Sequence, residues 1–216
     1  MRLLLTRHAQ TASNVGHALD TAYPGAPLTE LGHQQAARLA ARLAAEPLAV
    51  VAASNLLRAQ QTAAPVATAH GLTVATLDGL REIDAGGWEM QNSAEAIEGY
   101  VGVVRGWAAG DLDAAVPGGP TGHEFLARFD AAVRAVEDAA SAEDGTQAVA
   151  VAVSHGAAIR TWAAIRCGNA SAEEVAGRRL ANTDILVVEG STGSGWLLDG
   201  WLEDPANEGA SLTAEH

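Results

Sequence analysis

Apolar residues fall into short unbroken runs that alternate with stretches of helical spacing along most of the chain. "RLLLT", Arg2 to Thr6, carries no polar break between its ends, the pattern of a strand buried on both faces. "TELGHQQAARLAARLAA" is an amphipathic helix, with Thr29 as N-cap and Leu31, Ala36, Leu39, Ala40 and Leu43 as its apolar stripe. "LAVVAAS" predicts a second buried strand, "NLLRAQQTAAPVATAH" a helix despite Pro65, and "TVAT" a short strand. "QAVAVAVS" is the clearest strand of all; "GAAIRTWAAIRCG" follows as a helix closed by Gly168. "DILVVEGSTGSGWLLDGW" reads as two strands joined by a Gly/Ser turn, with no helix for a dinucleotide fingerprint to open. The fold class is therefore α/β: three layers, a mostly parallel sheet with helices on both faces.

Between Trp88 and Asp144 strand signals vanish. Two helices remain, about Ser93 to Ala109 and Thr121 to Ala140, parted by the breaker cluster "VPGGPTG". They predict a helical insertion (about 88–144) over the carboxyl edge of the sheet, as lid or pocket wall. The chain is expected to form a single domain over 1–216, with a loose polar tail from about 206 to 216.

Charge narrows the function. The net charge is −13, and all 13 basic residues are Arg, with no Lys. Such a surface repels phosphate backbones and anionic lipids, so neither nucleic acid nor membrane is an expected partner. Any anionic ligand must then be gripped by a few concentrated arginines. The single cysteine, Cys167, excludes an internal disulfide and reads as a packed thiol at a helix end. Neither a signal peptide nor an apolar run of membrane-spanning length is evident, so the expected compartment is cytoplasmic.

Ligands of such sheets bind beyond the carboxyl ends of the strands, and three of those ends carry polar groups. Arg7 and His8 follow the first strand; Ser54 closes the second, with Arg58 one turn into the next helix; Ser154, His155 and Gly156 end the late strand. Adjacent Arg7 and His8 repel unless one faces solvent or a doubly negative group sits between them. Two His, two Arg and a helix N-terminus on one edge suit an anion.

"LTRHAQTASN", "LTELGHQQA", "SNLLRAQQTA", "LREIDAGGWE" and "VSHGAAIR" resemble, in order, the motifs of the histidine phosphatase superfamily, the phosphoglycerate mutase-like family. The resemblance implies that Arg7 and His8 face a shared phosphate. His8 would attack phosphorus and become phosphohistidine, one ring nitrogen being held by a hydrogen bond while the other attacks. Arg7 and Arg58 would grip phosphoryl oxygens as planar forks, and His155 and Gly156 would complete the pocket. Asn14 would add a neutral donor or merely cap a turn. Ser54 and Thr62 would orient the Arg58 helix. Glu82 holds the acid position, where a bound phosphate dianion favours the protonated carboxyl that a leaving alkoxide needs. Asp84 is chemically able to substitute but ranks behind it, and Glu89 reads as structural.

His33, His70 and His216 read as surface or terminal residues, while His17 and His123 lie in loop or lid segments within reach of a substrate. Trp88, Tyr100 and Trp107 offer an apolar wall or simply core. No metal and no cofactor is expected, since the arginine forks supply the positive charge. The sequence departs from the family at Ala9 and Met90, both usually Gly, and at Pro120, usually Glu. The last two put the substrate pocket in question.

The implied activity is phosphomonoester hydrolysis of the histidine acid type on a small phosphorylated metabolite, with a homodimer compatible. The alternatives are a cofactor-dependent phosphoglycerate mutase and a non-catalytic phosphometabolite-binding protein. Against the mutase stands the lack of Arg between Arg81 and Arg105, where a second acidic group would want one.

Overall fold

Strand β1 (Arg2–Arg7) buries Leu3 and Leu5 on one face and Leu4 on the other, so each face needs a layer of helices. The structure, a computed structural model, describes residues 1–140 and 147–207; the expected polar tail lies outside them from 208 onward. The chain continues through α1 (Ala12–Val15), α2 (Glu30–Leu43), β2 (Leu48–Ala53), α3 (Leu57–Ala69), β3 (Val74–Thr76), α4 (Ala94–Ala108), α5 (Gly122–Ala140), β4 (Val149–Ser154), α6 (Gly156–Arg166), α7 (Ala172–Gly177), β5 (Ile185–Ser191) and β6 (Gly195–Leu202). The sheet runs β3-β2-β4-β1-β5-β6. β1 to β4 are mutually parallel, and β5 and β6 pair antiparallel at one edge. The turn at 192–194 is too short for a crossover, which forces that hairpin.

Helices α2 and α3 cover the Leu4 face, and α5 and α6 the opposite one. Thr29 caps α2 through its hydroxyl, which accepts Gly32 N–H at 3.0 Å. The stripe of α2 differs from expectation at Leu31, which is 44% exposed. Gly32 takes that place on the buried face, because a Cβ there would overlap the Gln10 carbonyl. Helix α5 is a layer helix and not a lid. Phe125, Phe129, Val133 and Val136 bury against the sheet, and its rings continue a contact series from Trp107 through Phe125, Phe129 and Trp162 to Trp196. Burial pushes the Cys167 thiol up to about 11, so it is a packing group. Helix α7 has no counterpart among the sequence expectations. Its signal is the capping pattern Ser171-x-x-Glu174, and Glu174 N–H donates to Ser171 Oγ at 3.1 Å. Among the described residues no helix is long and apolar enough to cross a membrane.

Met90 stands at φ +60° with its side chain 59% exposed, in the left-handed region that favours glycine. Its N–H is tied to Leu19 O at 2.9 Å, which fixes the backbone there. Met90→Gly should therefore raise stability by up to about 1 kcal/mol. Denaturant unfolding checks this, and a lower midpoint for the variant would contradict it.

Candidate active site

Three parallel strands end at one level. Arg7 pairs with Ser154 in register. The alignment continues past the strands through His8 N–H to Ser154 O (3.0 Å) and Ser54 N–H to Val153 O (2.9 Å). Arg7, His8, Ser54 and His155 thus stand side by side, and α3 delivers Arg58 from its first turn. All five are buried.

His8 is held from both sides. Its Nδ1–H donates to the Ala9 carbonyl at 2.7 Å, and its Nε2 accepts from Arg58 Nε at 3.1 Å. Burial first, then the Arg58 and Arg7 charges, lower its pKa well below 6.5, so the ring is neutral with its lone pair on Nε2. Thr62 Oγ1 accepts Ala9 N–H at 3.0 Å and donates to Arg58 O at 2.7 Å, tying the His8 loop to α3. Arg58 Nη2 donates to Asp20 O at 2.8 Å, while its buried Nη1 has no hydrogen-bond partner among the described residues.

His155 lies behind His8, ring centroids 5.1 Å apart, and not in the cavity wall where it is expected. The reason is Ser54, whose hydroxyl accepts Leu56 N–H at 3.2 Å and meets His155 Nε2 at 2.9 Å. A hydroxyl that gives its own hydrogen to Nε2 leaves the proton of His155 on Nδ1. That buried Nδ1 has no partner among the described residues. Burial, followed by Arg58, lowers this pKa well below 6.5 as well.

Glu82 reaches the N-terminus of α6. Its carboxyl oxygens accept Ile83 N–H (2.9 Å), Ala157 N–H (3.2 Å) and Ala158 N–H (2.8 Å). The segment that carries it is clamped by Arg128, which donates to the carbonyls of Gly79, Arg81 and Glu82 at 2.8 Å, and by Tyr100 Oη on Ile83 O at 2.9 Å. Burial lowers the Arg128 pKa to about 10. Asp84 is exposed and outside the cavity wall. Asn14 caps a turn, its Oδ1 accepting from Thr11 N–H at 3.1 Å and from Asn182 Nδ2 at 3.3 Å, and it also lines the cavity.

Arg7, His8, Asn14, Arg58, Glu82 and Gly156 line one cavity of about 290 Å³. Tyr100 joins them; Trp88 and Trp107 do not, nor do Met90 and Pro120, so neither of those two departures stands in the wall. His123 is 64% exposed beside Asp113, and Glu89 ties down Thr21 and Ala22. Among the described residues no group of three or more His, Cys, Asp or Glu could hold a metal ion.

Sequence reasoning misses four lining residues of consequence: Asp20, Arg105, Arg160 and Arg179. The three arginines come from α4, α6 and the segment after α7. The missing Arg between positions 81 and 105 therefore says nothing against a second acidic group. It also misses Asn182, which donates to His8 O at 2.8 Å.

A model of the histidine phosphatase superfamily (branch 1) matches residues 3–204. A PE-PGRS family protein of Mycobacterium tuberculosis is 35% identical over 219 residues, which cover 96% of this chain and 37% of that protein. This chain spans well under half the length of that relative. A probable phosphoglycerate mutase of an Enterobacter species is 29% identical over 214 residues, covering 99% and 96% of the two. The solved structure of a mycobacterial glucosyl-3-phosphoglycerate phosphatase matches with a TM-score of 0.76 at 27% identity, covering 94% of this chain and 99% of that one.

Both buried rings should stay neutral when the solution falls just below pH 6.5, which ring-nitrogen NMR reads directly. Their lowered pKa values also fix a sign. Below about 6.5 the unfolded chain binds protons that the native rings refuse, so stability falls with acidification, by up to about 1.4 kcal/mol per pH unit for each ring. Rings that titrate at 6.5 or above would contradict this.

Proposed function

The chain belongs to the histidine phosphatase superfamily, and on that premise we propose that it hydrolyses phosphomonoesters of a small metabolite through a phosphohistidine on His8. One observation carries the reading: a neutral imidazole with Nδ1 anchored stands in a cavity lined by Arg7 and by Arg58, whose buried Nη1 makes no hydrogen bond among the described residues and meets only Asp20, at 3.8 Å. Buried donors are rarely left unmade, and a phosphoryl group would satisfy this one.

In the proposed cycle Arg58 Nε leaves His8 Nε2 for a phosphoryl oxygen and frees the lone pair to attack phosphorus. The P–N bond forms as the ester P–O bond breaks. The positive charge gained by the ring strengthens its Nδ1–H bond to Ala9 O. Arg7, Arg58 and Asn14, which line the cavity, meet the charge on the equatorial oxygens, while His155 supports His8 from behind. Glu82 gives its proton to the departing alkoxide, then takes one from the water that attacks phosphohistidine, and His8 returns neutral. Because His8 resists protonation, attack continues in mildly acid solution, as an acid-type phosphatase requires.

Named relatives give the substrate a range: one solved neighbour acts on a glucosyl-phosphoglycerate, and a curated relative is named a probable phosphoglycerate mutase. The mutase is the second reading, favoured by the arginines at the cavity mouth. A pure binding protein has no use for Glu82 fixed against an anion.

Rapid quench with labelled substrate, in excess chelator, should trap an acid-labile phosphoenzyme that His8→Ala abolishes and that water discharges within the turnover time. A label on Ser or on His155, or a requirement for Mg²⁺, would overturn the proposal. A phosphoenzyme that survives water but passes its phosphoryl group to a phosphoglycerate would favour the mutase.

The proton donor has its own signature. An alkyl phosphate leaves as a strongly basic alkoxide, whereas a nitrophenyl phosphate needs little help. Glu82→Gln should lower kcat/KM by about 10² to 10⁴ for a sugar phosphate and far less for the aryl ester. Asp84→Asn should show no such dependence on the leaving group. Equal losses on both substrates in Glu82→Gln, with discrimination in Asp84→Asn, would move the role to Asp84.

A further inference from the structure

Two carboxylates line the cavity, Glu82 and Asp20, and they are engaged differently. Both oxygens of Glu82 are taken up by backbone N–H groups, those of Ile83, Ala157 and Ala158. Asp20 has one oxygen so engaged. Its Oδ2 accepts Ser13 Oγ–H at 2.7 Å and Ala26 N–H at 2.9 Å, which hold the carboxylate in place. Its Oδ1 accepts no hydrogen bond among the described residues. Arg58 Nη1, the donor that also lacks a hydrogen bond there, stands 3.8 Å from Oδ1, too far for a direct bond. Both side chains are more than nine-tenths buried, Asp20 being 8% exposed and Arg58 3%.

A free donor beside a free acceptor restricts what fits against both. A fully ionised anion satisfies Nη1 but sets a bare oxygen against Oδ1, which costs energy in a buried site. The same anion with one proton satisfies both, one oxygen accepting from Arg58 while an O–H donates to Asp20. A phosphoryl group can carry that proton, since its second ionisation lies near pH about 6. The surroundings offer no substitute. α3 brings Arg58, the end of β1 brings Arg7 and neutral His8, and α1 brings no charge. Segment 85–91 brings Glu89, whose carboxylate is taken up by Thr21 and Ala22. None of these gives Oδ1 a hydrogen.

We infer that Asp20 is a specificity-determining residue that selects the singly protonated phosphoryl group, whose P–O–H donates to Oδ1 while Arg58 Nη1 donates to a second phosphoryl oxygen. That proton stays on the phosphoryl group during transfer to His8, and Glu82 still supplies the one for the leaving oxygen. The inference rests on the phosphatase reading for the presence of a phosphoryl group in the cavity.

Methylphosphonate and methanesulfonate test this by calorimetry on the full chain below about pH 6, where the phosphonate keeps one proton. Both probes are then tetrahedral monoanions, and only the phosphonate has an O–H to give. Methylphosphonate should bind at least about tenfold more tightly, the ratio that about 1.4 kcal/mol from a hydrogen bond to a charged group produces. Asp20→Asn keeps an oxygen for Ser13 and Ala26 and puts an NH₂ donor where Oδ1 stands. In that variant the preference should vanish and methanesulfonate should gain affinity. Equal binding of the two probes by the unaltered chain, or binding of neither, would overturn the inference without recourse to a variant. So would a preference that survives Asp20→Asn, and its loss in Glu82→Gln would then move the acceptor to Glu82. These affinities require no turnover, so failure to trap a phosphoenzyme counts against the phosphatase reading and leaves them as they are.

Discussion

A neutral imidazole held between a carbonyl and a guanidinium sets the terms for the rest of the site. Arg58 Nε on His8 Nε2 engages the same lone pair that attacks phosphorus in the proposed cycle. The resting site therefore blocks its own nucleophile. A phosphoryl oxygen is a stronger partner for arginine than a neutral ring nitrogen, so in the proposed cycle a phosphate arriving at Arg58 would draw the guanidinium away and expose the lone pair in one exchange. The burial and cationic neighbours that keep His8 unprotonated make this exchange effective at mildly acid pH.

Such an arrangement needs rigid support, and much of it is acidic. Asp20 holds Arg58 through its carbonyl and is itself fixed by Ser13 Oγ at 2.7 Å and Ala26 N–H at 2.9 Å. Gly25, at φ +71°, lies so close under the Arg58 guanidinium that a Cβ would overlap it. Behind Arg7 and His8, Leu180 O accepts Arg7 Nη1 at 2.9 Å and Asn182 binds His8 O. That loop is pinned by buried Asp184, which accepts Ala181 N–H at 2.8 Å and Asp204 N–H at 2.9 Å. Each support is one or two bonds removed from the imidazole, which fixes its position to within the reach of a phosphoryl group.

The strand–helix alternation was legible because each strand is an unbroken apolar run, and β1, β2 and β4 appear where those runs lie. Arg7, His8, Arg58, Glu82 and His155 were legible for a related reason: each sits at a strand end, just inside a helix, or in a local motif. Asn182 and Asp20 were not, since their roles come from tertiary approach and nothing in their neighbours marks it. Leu31 failed because a glycine's close approach to a carbonyl outranks a leucine in deciding which face of α2 packs. His155 shows a further limit: sequence places it at the correct strand end but does not show which ring nitrogen Ser54 engages. Arg105, Arg160 and Arg179 are far apart in sequence, and only the packing of α4, α6 and α7 makes them one feature.

The contrast between an acidic exterior and an arginine-lined cavity is itself a filter. At physiological ionic strength, charges more than about 8 Å apart on an exposed surface are largely screened. A small anion inside the cavity therefore responds to the guanidinium groups around it and little to the net charge of −13. Lysine in place of arginine would keep the sign of the cavity but lose the fork with which, in the proposed cycle, Arg58 addresses a ring nitrogen at one moment and a phosphoryl oxygen at the next. In the proposed cycle, charge sign would select anions and guanidinium geometry would couple their arrival to release of the His8 lone pair.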